Sequence, residues 1–123
     1  MAQARVVFYR ERSGQVPIQK WLEDLPKQHR RKCQLAIENL QKVGHRLKHP
    51  HVHRLTDGIY ELRTRFGTNQ YRILYFWYGS TIAVLTHGIA KKSSAVPQNE
   101  VQRARRRKRD FEQNPSLHTQ EIG

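Results

Sequence analysis

The segment Tyr60–Trp77, YELRTRFGTNQYRILYFW, limits what this chain can fold into more than any other stretch. Two runs rich in aromatic and branched residues flank the short break Gly67–Asn69, the pattern of a β-hairpin. Strands alternate apolar and polar residues so that one face meets a core. Here the polar positions include Arg63, Arg65 and Arg72, all of one sign. Arg63 and Arg65 lie two apart and share a face, and Arg72 lies on the next strand. A third strand-like run, TIAVLTHGIAKK, ends in Lys91 and Lys92. Like charges gathered on neighbouring strands repel, so the pattern calls for an anionic ligand. Arginine matches phosphate bidentately and keeps its charge, which makes RNA the leading ligand class.

The whole chain carries the same bias. Its 123 residues suit one domain, and 23 Lys and Arg against 10 Asp and Glu leave a formal charge of +13. Ten carboxylates cannot neutralise 23 cations, so most basic side chains are free for a partner. Nucleic acid fits best and an acidic protein next; no long amphipathic basic helix points to a membrane. The single cysteine, Cys33, sits in an apolar helical pattern and reads as packing in a reducing, cytoplasmic compartment. No signal peptide or membrane span is visible.

The pattern predicts an α+β domain. Ala4–Tyr9 reads as a strand. Val16–Leu25 and Lys27–Val43 read as a helical hairpin broken by Pro26, with Gly44 after the second helix. His45–Leu55 reads as a polar connector. Ile59–Phe66, Gln70–Tyr78 and Thr81–Ile89 then form an antiparallel meander, giving a sheet of about four strands. Pro97 opens a C-terminal helix, basic from Arg103 to Arg109. Residues 1–113 make the domain, and Asn114–Gly123 a flexible polar tail.

The candidate site follows from the meander. Arg63, Arg72 and Lys91 can converge as a catalytic set, because RNA cleavage without a metal needs a base, an acid and stabilisation of the phosphorane. Arg65 and Lys92 extend the set as backbone contacts. Tyr60 and Tyr71, read as lying beside the arginines, are stacking candidates; most other aromatics read as core. Arg103, Arg105, Arg106 and Arg107 offer a nucleic-acid-binding helix surface. His87 shares an alternation with Ala83, Leu85 and Ile89, so it reads as a structural histidine. His49, His51 and His53 alternate, but no Cys, Asp or Glu stands at ligand spacing, so no metal or cofactor is called for. His53 is the member nearest the expected groove.

The run DGIYELRTRFGTNQYRILYFWYGSTIAVLTHGIAKKSSAVPQNEVQRA resembles the core of the RelE/ParE toxin superfamily, closest to its phage-derived HigB-like branch. The carriers are the turn before YELR, then YRILYF, then LTHGIAKK, then Pro97 and a helix with Glu100 and Ala104. The resemblance implies a RelE-like, microbial-ribonuclease-like fold and the toxin of a type II toxin–antitoxin system. It implies an mRNA endoribonuclease that works on the ribosome and inhibits translation, held by a cognate antitoxin, often with a helix-turn-helix domain that binds operator DNA. By position, Arg72 matches the phosphate-binding arginine of the YR pair, Arg63 and Arg65 the basic residues before it, and Lys91 and Lys92 the basic end of the last strand. Glu61 stands where some relatives carry a base-like lysine. The ParE branch, which poisons DNA gyrase, shares the fold, so a protein-directed toxin or a non-catalytic nucleic-acid-binding module stays open.

Overall fold

A computed structural model describes residues 3–91 and 95–122. Lys92 lies outside the described residues. The element order is β1 (Arg5–Tyr9), α1 (Pro17–Glu23), α2 (Lys27–Val43), a 3₁₀ turn (Gly44–Arg46), β2 (Val52–Thr56), β3 (Ile59–Phe66), β4 (Asn69–Tyr78), β5 (Ile82–Lys91), α3 (Gln98–Gln113), α4 (Pro115–His118) and β6 (Thr119–Glu121). It is a mixed α+β fold around one six-stranded sheet of order β2-β3-β4-β5-β1-β6. The predicted meander β3-β4-β5 forms its centre, antiparallel throughout. Strand β1 joins β5 in parallel, Val6 opposite Ala83 and Phe8 opposite Leu85.

Two expectations fail. The connector His45–Leu55 is not all loop: Val52–Thr56 pairs antiparallel with β3 as an edge strand. The tail is not free either. Pro115–His118 forms a helical turn, its start capped by the Asn114 side chain, and Thr119–Glu121 pairs antiparallel with β1. His118 stacks on Tyr9 at 5.1 Å, and Arg5 pairs with Glu121. The sheet thus has six strands where about four were expected.

Helices cover both faces of the sheet. On one face, α1 and α2 pack Ile18, Leu22, Cys33, Ile37 and Leu40 against Val6, Phe8, Leu62, Ile73 and Leu85. The Arg30 guanidinium donates to the carbonyls of Leu22, Glu23 and Leu25, satisfying groups left over where α1 ends. Trp21 lies flat against the Gly88 backbone, where a Cβ would sit 2.3 Å from its ring, so only glycine lets α1 close on β5. On the other face, α3 packs Ala104 and Phe111 over Val7, Ile59, Leu74, Phe76 and Val84. The site lies on this second face, on β3, β4 and β5.

Candidate nucleic-acid interface

Strand pairing brings the hairpin arginines together. Arg63 stands directly opposite Arg72, and Arg65 opposite Gln70. On the far side of β4, Arg72 stands opposite Ile89, Gln70 opposite Lys91, and Leu74 opposite His87. Arg63, Arg65 and Arg72 therefore share one face, with Lys91 in register on the next strand. Two guanidiniums side by side would repel, and the chain answers with Glu61, two residues before Arg63 on the same face. Its carboxylate is 1% exposed. Oε1 accepts from Arg63 Nε at 2.7 Å, and Oε2 lies 3.6 Å from Arg72 Nε. Arg72 Nη2 donates to Gln70 Oε1 at 2.8 Å, and Nη1 to the Tyr71 carbonyl at 3.4 Å. Burial lowers the Arg72 pKa, Glu61 opposes that shift, and Arg63 adds to it.

The geometry ranks these arginines by access. Arg65 is exposed, the Arg63 side chain is 26% exposed, and Arg72 is buried beneath them. Glu61 Oε2 and Arg72 Nε face each other as an ion pair just beyond hydrogen-bonding range, and both are buried without a hydrogen bond. A third buried atom of this kind, His87 Nε2, lies on the same face. Each of the three faces an opposite or potentially opposite charge, Glu61 with Arg72 at 3.6 Å and His87 with Glu100 at 3.3 Å, so this face holds buried polar groups in ion pairs rather than in hydrogen bonds.

His87 is buried, as its apolar company predicts, but the alternation behind that reading breaks. A β-bulge at Thr86 shifts the register, so His87 pairs with Leu74 while Leu85 pairs with Tyr75. His87 thereby joins the arginine face, whereas Leu85 and Ala83 face α1 and α2. The Thr86 hydroxyl donates to the Leu74 carbonyl at 3.2 Å and meets His87 Nδ1 at 2.9 Å. Its one proton is committed, so Nδ1–H donates to it and the neutral ring leaves Nε2 bare. Glu100 Oε1 lies 3.3 Å from that nitrogen and pairs with Arg103 at 2.9 Å. Burial first, then the charges of Arg107 and Arg103, push the His87 pKa down to about 3, so the ring is neutral near pH 7.

The basic helix divides in two. Arg107 lies inward, pairs with Glu11 at 2.9 Å, donates to the Thr86 carbonyl at 3.4 Å and sits over the Tyr9 ring at 5.7 Å. It is a structural tie between α3, β1 and β5. Arg103 pairs with Glu100 and Lys108 with Glu112. Arg105, Arg106 and Arg109 are exposed and make no ion pair among the described residues.

The two tyrosines do not join the arginines. Tyr71 precedes Arg72 and so points to the opposite face, where it is buried beside Trp21 and hydrogen-bonded to His29. Tyr60 is likewise on that face, stacked on Tyr75 at 5.6 Å. His53 stands opposite Glu61 in the β2–β3 register and is exposed, at the rim of the arginine face. Sequence reading gave no role to Glu61, Gln70, Thr86 or Glu100. The signal for Glu61 was parity: residues 61, 63 and 65 share a face, and one of the three is acidic.

A family model described as phage-derived protein Gp49-like (DUF891) matches residues 20–109. The chain belongs to this Gp49-like family. The family falls within the RelE/HigB-like toxin superfamily, so the resemblance read from YELR, YRILYF and LTHGIAKK holds at that level. The match takes in the whole arginine face of this Gp49-like chain and most of α3. It leaves out β1, α4 and β6. No curated protein matches the chain significantly. Among the described residues, no helix is long and apolar enough to cross a membrane.

Proposed function

We propose that this Gp49-like chain is the toxin of a type II toxin–antitoxin pair, of the HigB-like kind, and that it cleaves messenger RNA on the ribosome without a metal. The observation that carries the reading is the cross-strand pair Arg63–Arg72, two guanidiniums on one sheet face with a buried carboxylate between them and Lys91 in register beyond. The 2′-oxygen beside the scissile phosphate loses its proton and attacks phosphorus. The bond to the 5′-oxygen breaks, and that oxygen leaves with a proton. Arg72 stabilises the phosphorane's extra charge, its guanidinium exchanging Gln70 for phosphate oxygens. Arg63, held by Glu61, contacts the phosphate, and proton transfer falls to Lys91. Arg65 and Lys92 bind the backbone. Arg105 and Arg106, exposed on α3, dock onto ribosomal RNA with Arg103 near the rim. The partners are a cognate antitoxin, which links the toxin to operator DNA, and the translating ribosome in the cytoplasm.

The test is cleavage of a messenger on programmed ribosomes by purified wild type and Arg72→Ala. We expect A-site cuts with wild type and a loss of at least 100-fold in the variant, the size typical of removing one electrostatic stabiliser. Equal cleavage by a folded Arg72→Ala protein would remove Arg72 from the site. The burial of Arg72 favours one second reading, a ParE-type toxin whose arginines are structural and whose target is a protein such as gyrase. It predicts growth arrest with no cleavage of RNA.

A further inference from the structure

The sheet face opposite the arginines carries a second cleft, of about 410 Å³, at the β2–β3 end beside the 3₁₀ turn. Tyr75 lies at its floor, and Tyr60 stacks on Tyr75 at 5.6 Å. Trp77 and His45 form its wall, stacked at 3.7 Å, with His45 Nε2 fixed by the Ser80 carbonyl at 2.8 Å. Lys48 and Arg54 stand at the rim, and no carboxylate lines the cleft. Arg54 pairs with Asp57 outside it, and Lys48 makes no ion pair among the described residues. One further observation points to a ligand. Tyr75 is 1% exposed and lines the cleft, yet its hydroxyl makes no hydrogen bond among the described residues. Burial pushes this phenol's pKa up, with the nearby Tyr60 adding, so it stands neutral and able to donate.

These parts match one ligand chemistry. Aromatic faces at the side of a cleft stack bases without regard to sequence, and cations at the mouth take the phosphate. A phenol hydroxyl supplies a hydrogen bond to a base edge or a ribose. We propose that this cleft binds one nucleotide of a single-stranded RNA, with the base against Tyr60 and the phosphate between Lys48 and Arg54. An acidic peptide would meet the same cations. It would not use the aromatic stack and the free hydroxyl together. The inference goes beyond the cleavage reading and does not depend on it. The two RNA contacts lie on opposite faces of the sheet, with the β2 edge between them.

The experiment is a nuclear magnetic resonance titration of the labelled full chain with adenosine 5′-monophosphate, then with a six-nucleotide oligoadenylate. We expect saturable shifts at the Trp77 indole and the Tyr60 amide, with the oligonucleotide the tighter ligand. Tyr60→Ala should weaken binding about tenfold, as loss of a stacking partner does. Lys48→Ala, an exposed change that leaves the fold intact, should weaken it too and flatten its salt dependence. An unmoved Trp77 indole at about 5 mM mononucleotide, far above a useful affinity, would overturn the proposal. Equal binding by Tyr60→Ala or Lys48→Ala, or shifts confined to Arg63 and Arg72, would do the same. A glutamate-rich peptide that moves the indole where nucleotides do not would reassign the cleft to a protein. Because the readout is binding, a chain that fails to cut messenger RNA leaves this result unaffected.

Discussion

Glu61 decides whether the arginine face can exist. A carboxylate this buried, between two guanidiniums, makes a like-charged pair tolerable in a sheet whose interior is mostly apolar. His87 is the other residue whose surroundings set its chemistry. Burial, Arg107 and Arg103 depress its pKa to about 3 against 6.5 in the unfolded chain, with the Glu100 carboxylate at its side. A group with a depressed folded pKa lends stability above its unfolded pKa and loses it as pH falls, because the unfolded chain binds the extra proton. We therefore predict that stability falls between pH 6.5 and 3. His87→Gln should flatten that limb, measured as urea midpoints at pH 7, 5 and 4; identical limbs in both proteins would show that His87 does not carry it. The shared face of Arg63 and Arg65 was legible from their spacing alone. The misplacement of Tyr71 was avoidable by the same count, since a residue next to Arg72 must point away from it. The bulge at Thr86 was not legible, because nothing in LTHG announces an extra residue and only the pairing with Leu74 and Tyr75 reveals it.

At the scale of elements, long periodic segments declared themselves and short polar edges did not. The spacing of Cys33, Ile37 and Leu40 specifies α2, and the β-rich run Ile59–Phe66 specifies β3. Strand β2 reads VHRLT and β6 reads TQE; both are sheet edges, where polar side chains meet water and no alternation is imposed. Their pairing is decided by tertiary contacts. Truncation after Asn114 should leave a folded but less stable chain, with loss of amide exchange protection at Arg10, whose N–H donates to the His118 carbonyl at 2.8 Å. Unchanged protection there would mean that β6 adds nothing to β1. Helix α3 gives a second prediction. Changing Arg105, Arg106 and Arg109 together to glutamine should leave the melting temperature nearly unaltered, because these side chains touch no carboxylate among the described residues. The log–log salt slope of ribosome binding should fall by about 2–3, close to one per lost phosphate contact. An unaltered slope would take this face out of the interface. Arg107 does not belong in that set, because its ties to Glu11 and Thr86 make its loss a matter of stability.

For the whole molecule, the charge of +13 is unevenly spent. Of the 23 Lys and Arg, some are tied internally by Glu61, Glu100, Glu11 and Glu112, and others make no ion pair among the described residues, on α3 and, as Lys48, at the rim of the second cleft. A sheet that carries cations on both faces, with a helix of free arginines beside one of them, is suited to lie within a polyanion rather than against a single small ligand. The ribosome is such an environment. The most direct measurement of this account is primer extension on messenger RNA from cells briefly expressing wild type or Arg72→Ala. We predict cuts in register with codons for wild type and none for the variant. Growth arrest by the wild type without cuts would contradict the account and point to a protein target.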